Sequence, residues 1–245
     1  MHSPKFLENS DKTNIVIFIH GYMGSPRQFD RLVEIAYNEG CSVLSLLLPG
    51  HGSTTKEFSK ATMTKWQNHV NSEVERFSKE YKRIYLVGHS MGCLLSINAA
   101  AKYSEHVCGL FLIYCPFKVR YINIAAIKVR LKQLLYPKTN PVKAAYHKGR
   151  SVPLMPNLLW RNIKPASELM KLISFTREKL HNIKVPITAV YSLSDEIISM
   201  KSLQILKSGA TQTSVKSIIL TDSLHAYYTS EEQAVIEEAL MAFVS

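Results

Sequence analysis

Arg83-Ile84-Tyr85-Leu86-Val87-Gly88-His89-Ser90-Met91-Gly92 is the stretch that decides the fold. After Arg83 it opens with an unbroken run of β-branched, aromatic and aliphatic residues, which reads as a buried strand. The residues that follow, Cys93–Lys102, are rich in Ala, Leu and other helix-compatible types. Between strand and helix stands a serine with a glycine two places before it and another two places after. A turn sharp enough to expose a serine at the end of a strand presses the strand and helix backbones together, so both flanking positions must be small. Gly88 and Gly92 meet that need. The same spacing would also suit a glycine-rich β–α turn without chemistry, and only partner residues elsewhere decide between the two.

On either side of this unit the chain repeats the same rhythm. Apolar runs with strand character occur at Ile15–His20, Ser42–Leu48, Val107–Cys115, Val185–Ser192 and Val215–Leu220. Helical spacing appears at Pro26–Asn38, at Thr64–Tyr81 with Trp66, Val70, Val74 and Phe77 on one side, and at Glu231–Val244. Alternation of this kind predicts an α/β fold: a mostly parallel central sheet with helices on both faces. The rhythm breaks at residues 117–184, where a crossover needs only about a dozen. We therefore expect a core of residues 1–116 and 185–245, and a helical cap insertion at 117–184 that Pro137, Pro141, Pro153, Pro156 and Pro165 cut into short pieces.

The charge is concentrated in that insertion. It holds fifteen Lys and Arg against Glu168 and Glu178, a net +13 in a chain whose total is +11, so the core is slightly acidic. Most often such a run is a solvated face. The sharper expectation is that it attracts an anionic substrate or an anionic membrane surface. No nucleic-acid-binding motif accompanies it, which argues against a nucleic-acid partner. The four cysteines lack CxxC spacing and sit in apolar segments, as small buried hydrophobes do. No run approaches the roughly 20 apolar residues of a bilayer span. The opening residues are polar and mixed in charge, without the apolar centre of a secretory signal, so the expected location is cytoplasmic.

A serine hydroxyl needs a base within reach and a carboxylate to orient that base. In a strand–turn–helix nucleophile of this type the chain order is Ser, then Asp or Glu, then His. Only four aspartates exist, and Asp11 and Asp30 precede Ser90. Asp195 follows the strand Val185–Ser192, at the carboxyl end where such sheets place their active residues. His225 is the only histidine after Asp195 and lies just beyond another strand. The catalytic candidates are thus Ser90, Asp195 and His225, with Asp222 as a runner-up acid and Glu196 as a weaker third. A developing oxyanion needs preorganised backbone donors, and the candidates are the amides of Met91 and Tyr22. His20, His51 and His89 adjoin glycines and read as structural hydrogen-bonders.

The combination of HGYMGS at 20–25, LLLPGHGST at 46–54, VGHSMG at 87–92, SDEII at 194–198 and an isolated histidine before a final amphipathic helix resembles the small bacterial carboxylesterases and monoacylglycerol lipases of the α/β-hydrolase superfamily. The resemblance covers nearly all of the chain except the insertion. It implies the α/β-hydrolase fold, Ser90, Asp195 and His225 as the triad, Tyr22 and Met91 as oxyanion donors, Pro49–Gly52 as a support near the pocket, and hydrolysis of carboxylic esters with no cofactor and no metal. Two departures stand out: Ser223-Leu224 before the histidine, where a small residue is common, and the basic insertion. The insertion takes the place of a cap that lines the pocket, so Leu158 and Trp160, with Leu154, Met155, Leu159 and Met170, are candidates to contact a small-molecule ester, one that is anionic or derived from lipid. Thioesterase, amidase or peptidase, and carbon–carbon hydrolase chemistry use the same residues. A ligand-binding or sensory protein on the same fold is the alternative from another class.

Overall fold

The computed structural model describes residues 2–120, 137, 139–152 and 160–245. Seven strands form one sheet in the order β1-β3-β2-β4-β5-β6-β7. The central strands β2 (Asn14–Ile19), β4 (Arg83–His89), β5 (Val107–Ile113) and β6 (Ile187–Ser192) are buried along nearly their whole length. This is why they read as continuous apolar runs rather than alternating ones. Every pair from β3 (Ser42–Ser45) to β7 (Val215–Leu220) is parallel, and β1 (Lys5–Leu7) closes the β3 edge antiparallel.

The helices fall into two groups. α1 (Asp30–Asn38) packs against α8 (Ser230–Val244), and Phe243 of α8 reaches the rings of Tyr85 and Phe111 on the sheet. α3 (Met63–Phe77) and α4 (Met91–Lys102) form the second group, α3 burying Trp66, Val70, Val74 and Phe77 as their spacing requires. α4 is buried from Met91 to Ala100, which accounts for its almost uniformly small and apolar sequence. Short α2 (Thr55–Phe58) and α7 (Lys201–Gly209) complete the core. Among the described residues no helix is long and apolar enough to cross a membrane.

Within 117–184 the structure describes α5 (Pro141–Gly149), started by the Asn140 side chain accepting from the amides of Val142 and Lys143, and α6 (Ile163–Lys179). α6 lies on α3 and α4, with Leu172 and Ile173 buried and Thr176 taking a 2.8 Å hydrogen bond from Asn98. It belongs to the packed layer and supplies the helix that the β5-to-β6 crossover requires. We expect Leu172→Ala to lower the free energy of unfolding by about 2–5 kcal/mol, the range for emptying a buried leucine site, measured by denaturant titration with the whole molecule unfolding in one transition.

Candidate active site

The triad and oxyanion candidates lie where the parallel strands end. β4 runs into Ser90, whose backbone is left-handed, φ 52° and ψ −118°. A non-glycine residue holds such angles only when its surroundings enforce them. Here the Ser90 amide donates to the carbonyl of Ile113 at 2.8 Å, and its carbonyl accepts from Cys93 at 3.0 Å. The two glycines are steric necessities. A Cβ on Gly92 would stand 1.8 Å from the Ile19 carbonyl oxygen, and one on Gly88 would stand 2.5 Å from the Cys93 nitrogen.

β6 ends at Ser192 and the chain turns through Asp195, whose carboxylate is 1% exposed. One oxygen accepts the amides of Ile197 and Ile198 at 2.7 and 2.8 Å, and the other meets Nδ1 of His225 at 2.9 Å. Burial alone would push the Asp195 carboxyl up, yet the neighbouring His225 and the two amides hold it below its ordinary value. An ionised carboxylate only accepts, so Nδ1 of His225 carries the proton and Nε2 keeps the lone pair that a base needs. The ring is braced on other sides as well. Tyr114 stacks on it with centroids 5.5 Å apart, Tyr228 stacks on Tyr114, and Nε2 of His89 donates to the His225 carbonyl at 2.8 Å. His89 is the residue next to Ser90, so the elbow and the Asp195–His225 pair are joined through one side chain.

The loop after β2 stands directly against the serine: a Cβ on Gly21 would lie 3.1 Å from Cβ of Ser90. The amides of Gly21, Met23 and Gly24 go to Gln28, His51 and the Gly21 carbonyl. The Tyr22 amide is not among these, and the Met91 amide opens α4, where a helix has no acceptor of its own. His20 and His51 hold this loop. Nε2 of buried His20 accepts from the Leu48 amide at 3.0 Å, so its Nδ1 donates to the Gly21 carbonyl at 2.9 Å. Nε2 of His51 accepts from Met23 and its Nδ1 faces the Pro49 carbonyl. Burial keeps these rings neutral, His51 falling to about 4 and His89 to about 3.

The other candidates separate. Asp222 is exposed and pairs with the Thr221 hydroxyl, away from the imidazole. Glu196 is buried and accepts the backbone amide of His225 at 3.1 Å rather than its ring. Trp160 is 62% exposed beneath the Arg161 guanidinium, and Leu154, Met155, Leu158 and Leu159 lie outside the described residues. A cavity of about 270 Å³ opens between Arg27, Lys148, Gly149, Ala226 and His89; neither Ser90 nor Trp160 lines it.

The sequence profile of a family described as serine aminopeptidase, S33, matches residues 10–232. The chain belongs to this family of hydrolases. It is 23% identical to a thermostable monoacylglycerol lipase of Bacillus sp. (strain H-257), over 93% of this chain and 89% of that one. It is 26% identical to monoacylglycerol lipase ABHD6 of Rattus norvegicus, over 84% of this chain and 59% of that one. Among solved structures, one from a study of the metagenome-derived lipolytic enzymes LipS and LipT superposes with a TM-score of 0.77 at 20% identity, covering 99% of this chain and 97% of that one. A monoacylglycerol lipase of Paleococcus ferrophilus superposes with 0.71 at 16% identity over 99% of each chain. These likenesses establish the α/β-hydrolase fold.

Glu232, at the start of α8, was not legible as a site residue. Its carboxylate accepts the amides of Thr221, Asp222 and Ser223 together with the hydroxyls of Ser223 and Thr221, and so clamps the turn that leads to His225. Burial would raise it, but these donors pull it from the ordinary 4.5 to about 2. A depressed carboxylate stabilises the fold above its ordinary value and loses that contribution as the pH falls through the folded one. We expect Glu232→Gln to lower the melting temperature at neutral pH, and the gap to the unsubstituted protein to shrink between pH 4.5 and about 2.

Proposed function

We propose that the protein hydrolyses carboxylic esters, with monoacylglycerols and similar lipid-derived esters as its substrate class. Ser90 attacks the ester carbonyl while His225 takes its proton, Asp195 holding the imidazole in the required tautomer. The Met91 and Tyr22 amides donate to the oxyanion. His225 then returns the proton to the leaving alcohol, and water activated by the same base clears the acyl-enzyme. The observation that carries this reading is the buried Asp195–His225 hydrogen bond beside a serine held in left-handed backbone. The lipolytic names of the relatives support the choice of ester. The family's aminopeptidase description is the reason to keep amide cleavage as a second reading.

The insertion between β5 and β6 would act as the cap. Trp160 and Ile163, 62% and 69% exposed, stand beside Arg161 and Lys164, apolar side chains within a basic segment. That combination suits an anionic lipid surface on which the ester is presented. Buried free Cys41, Cys93 and Cys115 suit the reducing cytoplasm.

Hydrolysis of p-nitrophenyl esters from short to long acyl chains tests the chemistry. Activity should fall by a factor of about 10⁴ or more in Ser90→Ala, and a fluorophosphonate should label Ser90 in the unsubstituted protein. An unlabelled native serine would instead leave a ligand-binding protein. The surface is tested with monoacylglycerol in vesicles: turnover should rise when anionic lipid replaces neutral lipid and fall again with added salt. Equal rates on both vesicle types would remove the lipid-surface role and leave the ester chemistry untouched.

A further inference from the structure

Glu196 is a carboxylate 5% exposed, one residue beyond Asp195, and it is absorbed by neither the Asp195–His225 pair nor the serine turn. A buried carboxylate is costly unless its oxygens are satisfied. Its two oxygens point to different parts of the molecule. Oε2 accepts the backbone N–H of His225 at 3.1 Å. Oε1 accepts the hydroxyl of Tyr146, which lies on α5 in the insertion.

We propose that Tyr146 and Glu196 form a positioning relay by which the seating of the insertion sets the placement of His225. The proposal rests on His225 being the base for Ser90. Among the hydrogen bonds that fix that residue are three from side chains of the described residues: Asp195 at the ring, His89 at the carbonyl and Glu196 at the amide. Asp195 and His89 belong to the core strands and their ends. Glu196 alone of the three leads out of the core, through a side chain of α5. The turn that carries both carboxylates is gripped by the insertion a second time. The Arg120 amide donates to the Ile197 carbonyl at 2.8 Å, the Ser199 amide donates to the Lys118 carbonyl at 2.9 Å, and Val119 bridges Ile198. Movement of the insertion therefore reaches Asp195 through its following residues and His225 through Glu196. A displacement of about 1 Å at a reacting group costs on the order of a hundredfold in rate, so a small loosening suffices.

A link of this kind acts on kcat and leaves the binding of a small substrate unchanged. The test measures kcat, KM and melting temperature with p-nitrophenyl acetate for the unsubstituted protein, Tyr146→Phe, Glu196→Gln, Glu196→Ala and Ser90→Ala. Tyr146→Phe keeps the ring and removes only the donor, and its kcat should fall about tenfold with KM within about twofold. Glu196→Gln keeps an acceptor for the His225 amide and can donate to the Tyr146 oxygen, so it should stay within about threefold of the unsubstituted kcat. Glu196→Ala should fall on the order of a hundredfold. Should Glu196→Ala fail to fold, Tyr146→Phe, altered at a half-buried position, decides the matter. Unchanged kcat in Tyr146→Phe, or a loss carried by KM or matched by a drop in melting temperature, overturns the relay. If Ser90→Ala is inactive in the same series, the serine-hydrolase reading survives that failure; full activity in Ser90→Ala would sink Ser90 as the nucleophile, and with it the reading on which the relay rests.

Discussion

Contact between Gly92 and the carbonyl of Ile19 is the constraint on which the site depends. The first turn of α4 is pressed against the end of β2 so closely that only a hydrogen fits at position 92. With strand and helix locked at that distance, the residue joining β4 to α4 has no ordinary backbone conformation left, and Ser90 takes the left-handed one. The strain persists because α4 is buried almost throughout and cannot shift to relieve it. The same contact sets the loop after β2 beside the serine. One packing decision therefore assembles the nucleophile, the first amide of α4 and the loop that carries Tyr22.

The sheet was readable because buried parallel strands leave unbroken apolar runs, and the serine turn because its glycines answer a steric demand that no other residue meets. Asp195 and His225 were readable for another reason: so few aspartates and histidines follow Ser90 that chain order nearly assigns them. β1 escaped notice because three residues on an exposed edge carry no period, and α7 because it is short and half polar. The role of α6 was hidden inside a segment set apart by charge and proline content, properties of its outer face that say nothing of Leu172 and Ile173 beneath. Glu232, and the role of Glu196, which chain order offers only as a third candidate acid, were illegible in principle. Each acts by accepting backbone amides, and a carboxylate that does so looks in sequence like any other acidic residue of a loop.

The insertion is tied to the core at the places where the site is built. Ser151 hydrogen-bonds the Met23 and Gly24 carbonyls, the Asn162 carbonyl accepts the Tyr22 hydroxyl at 3.2 Å, and Arg161 reaches Thr55. The Ser151 and Asn162 anchors sit on the loop after β2 and the Arg161 anchor on α2, just as Lys118–Arg120 and Tyr146 sit on the turn after β6. Its positive charge and its inner contacts thus meet in one segment.

His20 and His51 are connectors with a direction. Each takes a proton-bearing amide on one nitrogen and offers its own proton to a carbonyl on the other, on a rigid ring that fixes the gap between two loops. A proton added to His51, near pH 4, would turn its acceptor into a second donor facing the amide of Met23. Attraction at that joint would become repulsion, one residue from Tyr22. Acid would therefore disorganise the loop opposite the serine, a loss of shape separate from any change at Ser90 itself.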